Sequence, residues 1–144
     1  MLIILTVLIL LAFTAEPQEG KMAWYRERPE RYNAEITLIR RIHPRARIVF
    51  EKSRLVALLK VHGYNSTYVL KLVYPEEFPY SRPRAYITEP KIKGPPHLFE
   101  DGALCIYPDQ EGPQTSGKII LDLAIKWIKA YENWLQGNDW PEKG

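Results

Sequence analysis

The chain has 144 residues, which is the size of one ordinary domain with a single core. Its composition, 46% hydrophobic and 26% charged with a net charge of +3, is typical of a globular protein and excludes a disordered or fibrous chain. Because there is one cysteine, no internal disulfide can form, which favours a reducing, cytoplasmic compartment.

The chain begins with an apolar run over residues 2–15, broken only by Thr6 and Thr14. The run is shorter than the roughly 20 apolar residues that cross a bilayer, and it lacks the basic start of a signal peptide. Codons for Gln18-Glu19-Gly20 can contain a purine-rich ribosome-binding sequence ahead of Met22. We therefore hypothesise that residues 1–21 precede a true start at Met22 and that residues 22–144 form one domain; membrane association through residues 2–15 is the alternative.

Arginines are concentrated in the next part of the chain. They are Arg26, Arg28, Arg31, Arg40, Arg41, Arg45 and Arg47. Such a run is typical of a solvated helix face, and a docking surface for an acidic protein is the second interpretation. No nucleic-acid motif or aromatic stacking platform accompanies the arginines, so we expect no nucleic-acid partner.

Hydrophobic periodicity predicts the regular elements. Pro29 suits the first turn of a helix, and apolar residues recur at helical spacing up to Pro44, which predicts a helix over residues 28–43. Runs rich in β-branched and aromatic residues follow, separated by Lys52-Ser53 and by residues 62–66. They predict an antiparallel meander with strands at 46–51, 54–61, 67–74 and 84–88.

Prolines and a glycine in residues 89–96 predict an irregular segment that continues to about Gln114. A long helix is then expected, capped by Thr115 or Ser116 and ended by Gly137. Its apolar face comprises Ile120, Leu123, Ala124, Trp127, Ile128, Tyr131, Trp134 and Leu135. The opposite, polar face comprises Asp122, Lys126, Lys129, Glu132 and Asn133. This order of elements predicts an α+β fold in which helices cover the sheet.

Cys105 is the best candidate for chemistry, although a lone cysteine is more often a small buried hydrophobe. The three histidines are dispersed and a single thiol cannot build a structural zinc site, so no metal is expected. No phosphate-cradling glycine-rich loop is present, and we expect no cofactor. Activation of a substrate by ATP would have to occur on another protein.

Two segments of the chain resemble the ubiquitin-conjugating enzyme (UBC) family and its bacterial relatives. The first carries Tyr74-Pro75, Phe78-Pro79 and Pro83; the second carries His97, Gly102, Leu104, Cys105 and Ile106. The resemblance extends to the short conjugating proteins of type II CBASS antiphage operons. It rests on the stretch from His97 to Ile106, followed by Trp127, Tyr131-Glu132-Asn133-Trp134, Gly137 and Trp140.

This resemblance implies a UBC-like domain in which Cys105 accepts the C-terminal acyl group of a protein as a thioester and passes it to an amine. The implied donor is the neighbouring cyclic-nucleotide synthase (a CD-NTase, related to cGAS) or a ubiquitin-like protein, with an activating enzyme as a further partner. The implied effect is regulation of antiphage defence. The alternative is a catalytically inactive UBC-like binding or adaptor module.

The resemblance also implies roles for other residues. His97, Asp101 and Gly102 would support the active-site loop, and Asp109, Asn138 and Asp139 are candidates for orienting the acceptor amine. The family's His-Pro-Asn is replaced here by His97-Leu98-Phe99, so the asparagine that stabilises the oxyanion is missing. Another donor, or backbone N–H groups, would have to take its place.

Overall fold

The computed structural model describes residues 22–92, 94 and 97–141. Three helices and four strands follow one another in these ranges. They are α1 (Trp24–Glu27), α2 (Pro29–Ile42), β1 (Arg47–Glu51), β2 (Arg54–His62), β3 (Thr67–Val73), β4 (Arg84–Glu89) and α3 (Gly117–Leu135). The predicted α+β order of helix, four-stranded meander, irregular segment and long helix is confirmed. The apolar run at residues 2–15 and the proposed boundary at residue 21 lie outside the described residues.

The four strands form one antiparallel sheet in the order β1-β2-β3-β4. Glu51 pairs with Arg54, and the two residues between them, Lys52 and Ser53, have φ of 48° and 62°. Positive φ at both central residues is the mark of a type I′ hairpin turn, whose twist matches that of the flanking strands. Leu55 and Leu59 of β2 face the core that the sheet shares with the helices.

Helix α2 begins with Pro29 in its first turn and ends at Ile42, two residues before Pro44. Its buried residues are Glu35, Ile36 and Ile39. The spacing of these three places them on one face, and Ile36 and Ile39 enter the common core next to helix α3. Helix α1, which the sequence did not predict, is four residues long and buries Trp24 against Phe78, with ring centroids 4.5 Å apart.

Helix α3 is capped by Ser116, whose Oγ accepts a hydrogen bond from the Ile119 N–H at 3.3 Å. Past its end, Gly137 has a φ of +92°, the left-handed value expected of a helix-terminating glycine. Of the two predicted N-cap residues, Ser116 is therefore the cap. Within the described residues, no helix combines the length and apolarity needed to cross a membrane.

The prediction that Glu132 lies on the exposed face of α3 is wrong, because only 3% of it is exposed. Its two carboxylate oxygens accept hydrogen bonds from the backbone N–H groups of Tyr64 and Asn65, each at 2.9 Å. Gly63 makes room for this contact, because a Cβ at this position would clash with the carboxylate of Glu132. Glu132 thus fastens the turn between β2 and β3 to the helix.

Candidate active site

Cys105 lies at the end of a small hairpin within the irregular segment between β4 and α3. Leu98 and Leu104 form an antiparallel bridge, and the Cys105 N–H donates to the His97 carbonyl at 2.9 Å. The Leu104 N–H donates to the carbonyl of Ala85 in β4 at 2.8 Å. The hairpin is therefore attached to the sheet next to the residue that carries the thiol.

The tip of the hairpin is a tight turn from Phe99 to Gly102. The Gly102 N–H donates to the Phe99 carbonyl at 2.9 Å, and the Phe99 N–H donates to the Ala103 carbonyl at 2.9 Å. Gly102 has a φ of +87°, which glycine adopts without the strain that a Cβ would bring. This position shows why a glycine is needed three residues before Cys105.

Asp101, which the sequence suggested as a support for the loop or as a group that orients an amine, is held in three contacts. Its carboxylate accepts from the Ala103 N–H at 3.1 Å and from the Tyr86 hydroxyl at 2.9 Å, and it pairs with Arg84 at 3.0 Å. Partial desolvation raises the pKa of Asp101, but the hydrogen bonds from Ala103 and Tyr86 and the charge of Arg84 outweigh it, so the pKa is lowered. The geometry is that of a clamp between the hairpin and β4.

The Cys105 thiol is half-buried, and its Sγ lies 3.2 Å from the hydroxyl oxygen of Tyr107. Residues two apart in an extended chain lie on the same side, which explains this contact. The hydrogen bond to Cys105 is the main cause that raises the pKa of Tyr107. The phenol is therefore protonated at neutral pH and can donate a hydrogen bond to the sulfur.

The Tyr107 ring is 64% exposed and is held by neighbours on two sides. The Phe99 ring meets it edge-on with centroids 6.3 Å apart, and the Arg82 guanidinium carbon lies 5.6 Å from its centroid. Arg82 itself pairs with Glu111 at 2.9 Å. The hydroxyl next to the thiol is thus borne by a ring with fixed packing partners and remains open to solvent.

His97 enters the site through its backbone and through the face of its ring. Its carbonyl accepts from the Trp127 Nε1–H at 3.2 Å as well as from the Cys105 N–H, and its φ is +69°. The imidazole stacks on Trp140 with ring centroids 5.0 Å apart. Trp140 follows α3, so this stack brings the segment after the helix next to the hairpin.

A small pocket of about 90 Å³ opens beside the thiol. It is lined by His97, Cys105, Ile106, Tyr107, Leu123, Trp127, Ala130, Trp140 and Pro141. The lining is mainly apolar, and Cys105 and Tyr107 both contribute to it. An extended chain that presents a small side chain to the thiol fits a pocket of this size.

The three candidates for orienting an amine, Asp109, Asn138 and Asp139, make no hydrogen bond to the Cys105 sulfur, whose described side-chain partner is Tyr107. Asp109 and Asp139 are exposed, and the Asn138 side chain donates to the Asn133 carbonyl at 3.2 Å, closing the end of α3. In residues 97–141, Tyr107 is the side chain that hydrogen-bonds the Cys105 sulfur. Sequence reasoning missed Tyr107, because the sequence indicated an irregular segment, in which spacing alone does not set the directions of the side chains.

The part of the chain that the structure describes holds no group of three or more histidine, cysteine, aspartate or glutamate side chains close enough to bind a metal ion. The Cys105 thiol and the Tyr107 phenol lie side by side at this site, and Asp101 and His97 hold the backbone that carries the thiol.

Comparisons with known proteins place this geometry in context. A family model described as "Type II CBASS E2 protein" matches residues 29–144. A comparison with curated protein sequences finds no match. Among solved structures, a ubiquitin-conjugating enzyme E2 from Plasmodium falciparum is similar, with 19% sequence identity and a TM-score of 0.46. That alignment covers 78% of this chain and 88% of the other.

Proposed function

Since the chain belongs to the type II CBASS E2 protein family and has a conjugating-enzyme-like role in CBASS, we propose that Cys105 is its acyl carrier. In the first step, Sγ attacks the C-terminal carbonyl of a donor protein that arrives activated as an acyl adenylate or a thioester. The new C–S bond forms, the leaving group departs with its electron pair, and the thiol proton passes to water. A thioester is thereby formed on Cys105.

In the second step, an amine of a target protein attacks the thioester carbon. The C–N bond forms, the C–S bond breaks, the amine proton passes to solvent, and the sulfur leaves as thiolate. Sulfur suits both steps because thiolate is a good nucleophile and a good leaving group, so the carrier needs no metal to be loaded and unloaded.

The observation that carries this proposal is the presentation of Cys105. The only thiol of the chain is half-buried at the end of a hairpin whose backbone is fixed by His97, and it borders an open phenol. An inert core cysteine would be fully enclosed by apolar groups. A partly open thiol on a fixed backbone is what an acyl carrier requires, because the donor carbonyl must approach from solvent.

For the donor, we propose the C-terminus of the CD-NTase encoded in the same operon, with a ubiquitin-like protein as the alternative. The pocket of about 90 Å³ beside the thiol suits an extended C-terminal tail better than a folded surface. Activation of that tail would come from a separate activating enzyme. The acceptor is an amine on a target protein, and the outcome is regulation of antiphage signalling in the cytoplasm.

We assign supporting roles to the residues around the thiol. His97 pairs with Cys105 at the base of the hairpin, and Gly102 forms the turn at its tip. Asp101 clamps the hairpin to β4. Asp139 is the candidate for orienting the acceptor amine, because it is exposed on the segment that Trp140 anchors to His97. Residues 22–144 are proposed to form a single UBC-like domain.

The proposal is tested by co-expressing the chain with the neighbouring CD-NTase and its activating partner and resolving the products with and without reductant. The native chain should form an adduct of the two proteins that excess dithiothreitol cleaves by thiolysis and that a phosphine reductant, which cleaves disulfides, leaves intact. Cys105→Ala should form none, and the CD-NTase should then lack its conjugates to target amines. If the conjugates persist in Cys105→Ala, the chain acts as a non-catalytic adaptor and the proposal fails.

A further inference from the structure

Transfer of an acyl group from a thioester to an amine passes through a tetrahedral intermediate with negative charge on the former carbonyl oxygen. Hydrogen-bond donors placed at that oxygen are usually the largest single contribution to catalysis of acyl transfer. The donor must lie within hydrogen-bond distance of the carbonyl oxygen of the thioester. This oxygen is bonded to the carbon that is attached to Sγ, so a group that already contacts Sγ is close enough to reach it.

We propose that the Tyr107 hydroxyl is the catalytic donor that stabilises this oxyanion at Cys105, an inference that rests on the proposed thioester function. Its oxygen lies 3.2 Å from Sγ, within the described residues the one side-chain hydrogen bond to the sulfur. The asparagine that the UBC resemblance led us to expect is replaced by Phe99, whose ring instead packs on the edge of Tyr107.

The surroundings of Tyr107 suit a donor that must stay in place and keep its proton. The ring is held by Phe99 and by the Arg82 guanidinium, so the hydroxyl needs little reordering when the acyl group arrives. The raised pKa keeps the phenol protonated at neutral pH. Because the hydroxyl faces solvent beside a small pocket, an amine can approach the same carbon without displacing it.

The hydroxyl keeps its proton throughout the cycle. Before loading, its oxygen accepts a hydrogen bond from the Cys105 thiol. In the thioester the sulfur is a poor acceptor, so the hydroxyl turns to the carbonyl oxygen and strengthens this hydrogen bond as negative charge develops there. When the C–S bond breaks, the Tyr107 hydroxyl donates to the departing thiolate. Tyr107 therefore acts on both the oxyanion and the leaving group.

The experiment separates loading from transfer by using a small activated acyl donor. N-acetylglycine thioester of 2-mercaptoethanesulfonate exchanges with thiols, and since the chain has one cysteine, a single acyl adduct reports on Cys105. The full chain is loaded, freed of excess donor and mixed with free lysine. Intact-protein mass spectrometry then follows the loss of the adduct and gives the aminolysis rate for the native chain and for Tyr107→Phe.

Tyr107→Phe should still form the adduct but transfer it to lysine about 10- to 100-fold more slowly. This is at or below the lower end of the roughly 100- to 1,000-fold cost of a lost oxyanion donor, because Tyr107 is exposed. Tyr64→Phe, which removes the hydroxyl of a tyrosine on the turn between β2 and β3, is the matched control and should transfer at the native rate. If Tyr107→Phe transfers as fast as Tyr64→Phe, Tyr107 is not the donor although the thioester stands. If the native chain forms no adduct, the proposed function fails with it.

A purely structural role of the Tyr107 ring is distinguished by changing the acidity of the phenol while keeping its shape. With 2,3,5-trifluorotyrosine at position 107 alone, the phenol loses its proton at lower pH, and a phenolate cannot donate. The transfer rate should then fall at lower pH than in the native chain. An unchanged pH profile would overturn the assignment. This test does not depend on the folding of Tyr107→Phe, because the fluorinated ring keeps the shape of the native side chain.

Discussion

The contacts of Asp101 predict that Asp101→Ala loosens the hairpin that carries Cys105. The substitution removes the acceptor for the Ala103 N–H and the Tyr86 hydroxyl and also removes the ion pair with Arg84. Each of the two hydrogen bonds stabilises the native state by about 1 kcal/mol. The ion pair adds between about 0 and 1 kcal/mol, because both side chains are 44% exposed. The expected loss in the free energy of unfolding is therefore about 2 kcal/mol.

The pH dependence of this loss has a definite sign. Because the pKa of Asp101 is lowered in the folded protein from its ordinary value of 3.8, its ionised form stabilises the fold above that pH. The contribution disappears as pH falls through the lowered pKa. The difference in the free energy of unfolding between the native chain and Asp101→Ala should thus be largest at neutral pH and should decrease in acid.

Urea unfolding at 25 °C, at pH 7 and in acid, measures both effects. Glu100→Ala is the matched control, since Glu100 is the exposed neighbour of Asp101 in the same turn and takes no part in the three contacts. If Asp101→Ala is as stable as Glu100→Ala at pH 7, the clamp does not exist. Normal stability combined with lost amine transfer would instead place Asp101 among the groups that orient the acceptor.

Two buried carboxylates give the remaining predictions. Glu132→Gln should lower the free energy of unfolding by about 1 kcal/mol, because the amide has one carbonyl oxygen where the carboxylate has two, so the N–H of Tyr64 or of Asn65 loses its acceptor. Thermal unfolding of Glu132→Gln, compared with that of exposed Glu30→Gln, measures the loss. Burial raises the pKa of Glu35 above its ordinary 4.5 despite hydrogen bonds such as that from Tyr74, so its ionisation costs stability as pH rises through the raised pKa. Glu35→Gln should remove this decline from the plot of unfolding free energy against pH, and a decline that persists in the variant would contradict the assignment.

Most of the fold could be predicted from local patterns. The strands at 46–51, 54–61, 67–74 and 84–88 agree with the observed β1 to β4 to within one residue at each end, because alternation and the turn at Lys52-Ser53 are local signals. The family resemblance drawn from the Cys105 segment is confirmed by the family model over residues 29–144. The short helix α1 escaped prediction because four residues cannot show helical periodicity, and Trp24 is fixed by tertiary packing.

The site was less predictable, because its contacts join distant segments. Glu132 looked exposed since the helical pattern does not reveal that the turn at Tyr64 supplies two N–H donors 67 and 68 residues away. Asp101 was expected to support the active-site loop, but the sequence could not show how, because its partners Arg84 and Tyr86 lie on β4. The Tyr107 contact is local but was not predicted, because the sequence indicated an irregular segment, in which spacing alone does not set the directions of the side chains.

The central claim, that Cys105 carries an acyl group, is tested most directly by trapping the loaded state in Cys105→Ser. A serine at this position should form an oxyester with the activated donor tail, which resists reductant and is cleaved by mild base. Intact-protein mass spectrometry should show one donor acyl group added to Cys105→Ser and to the native chain. Excess dithiothreitol should cleave only the adduct of the native chain. A donor adduct on Cys105→Ala of the same mass, or none on either of the other two proteins, would contradict the account.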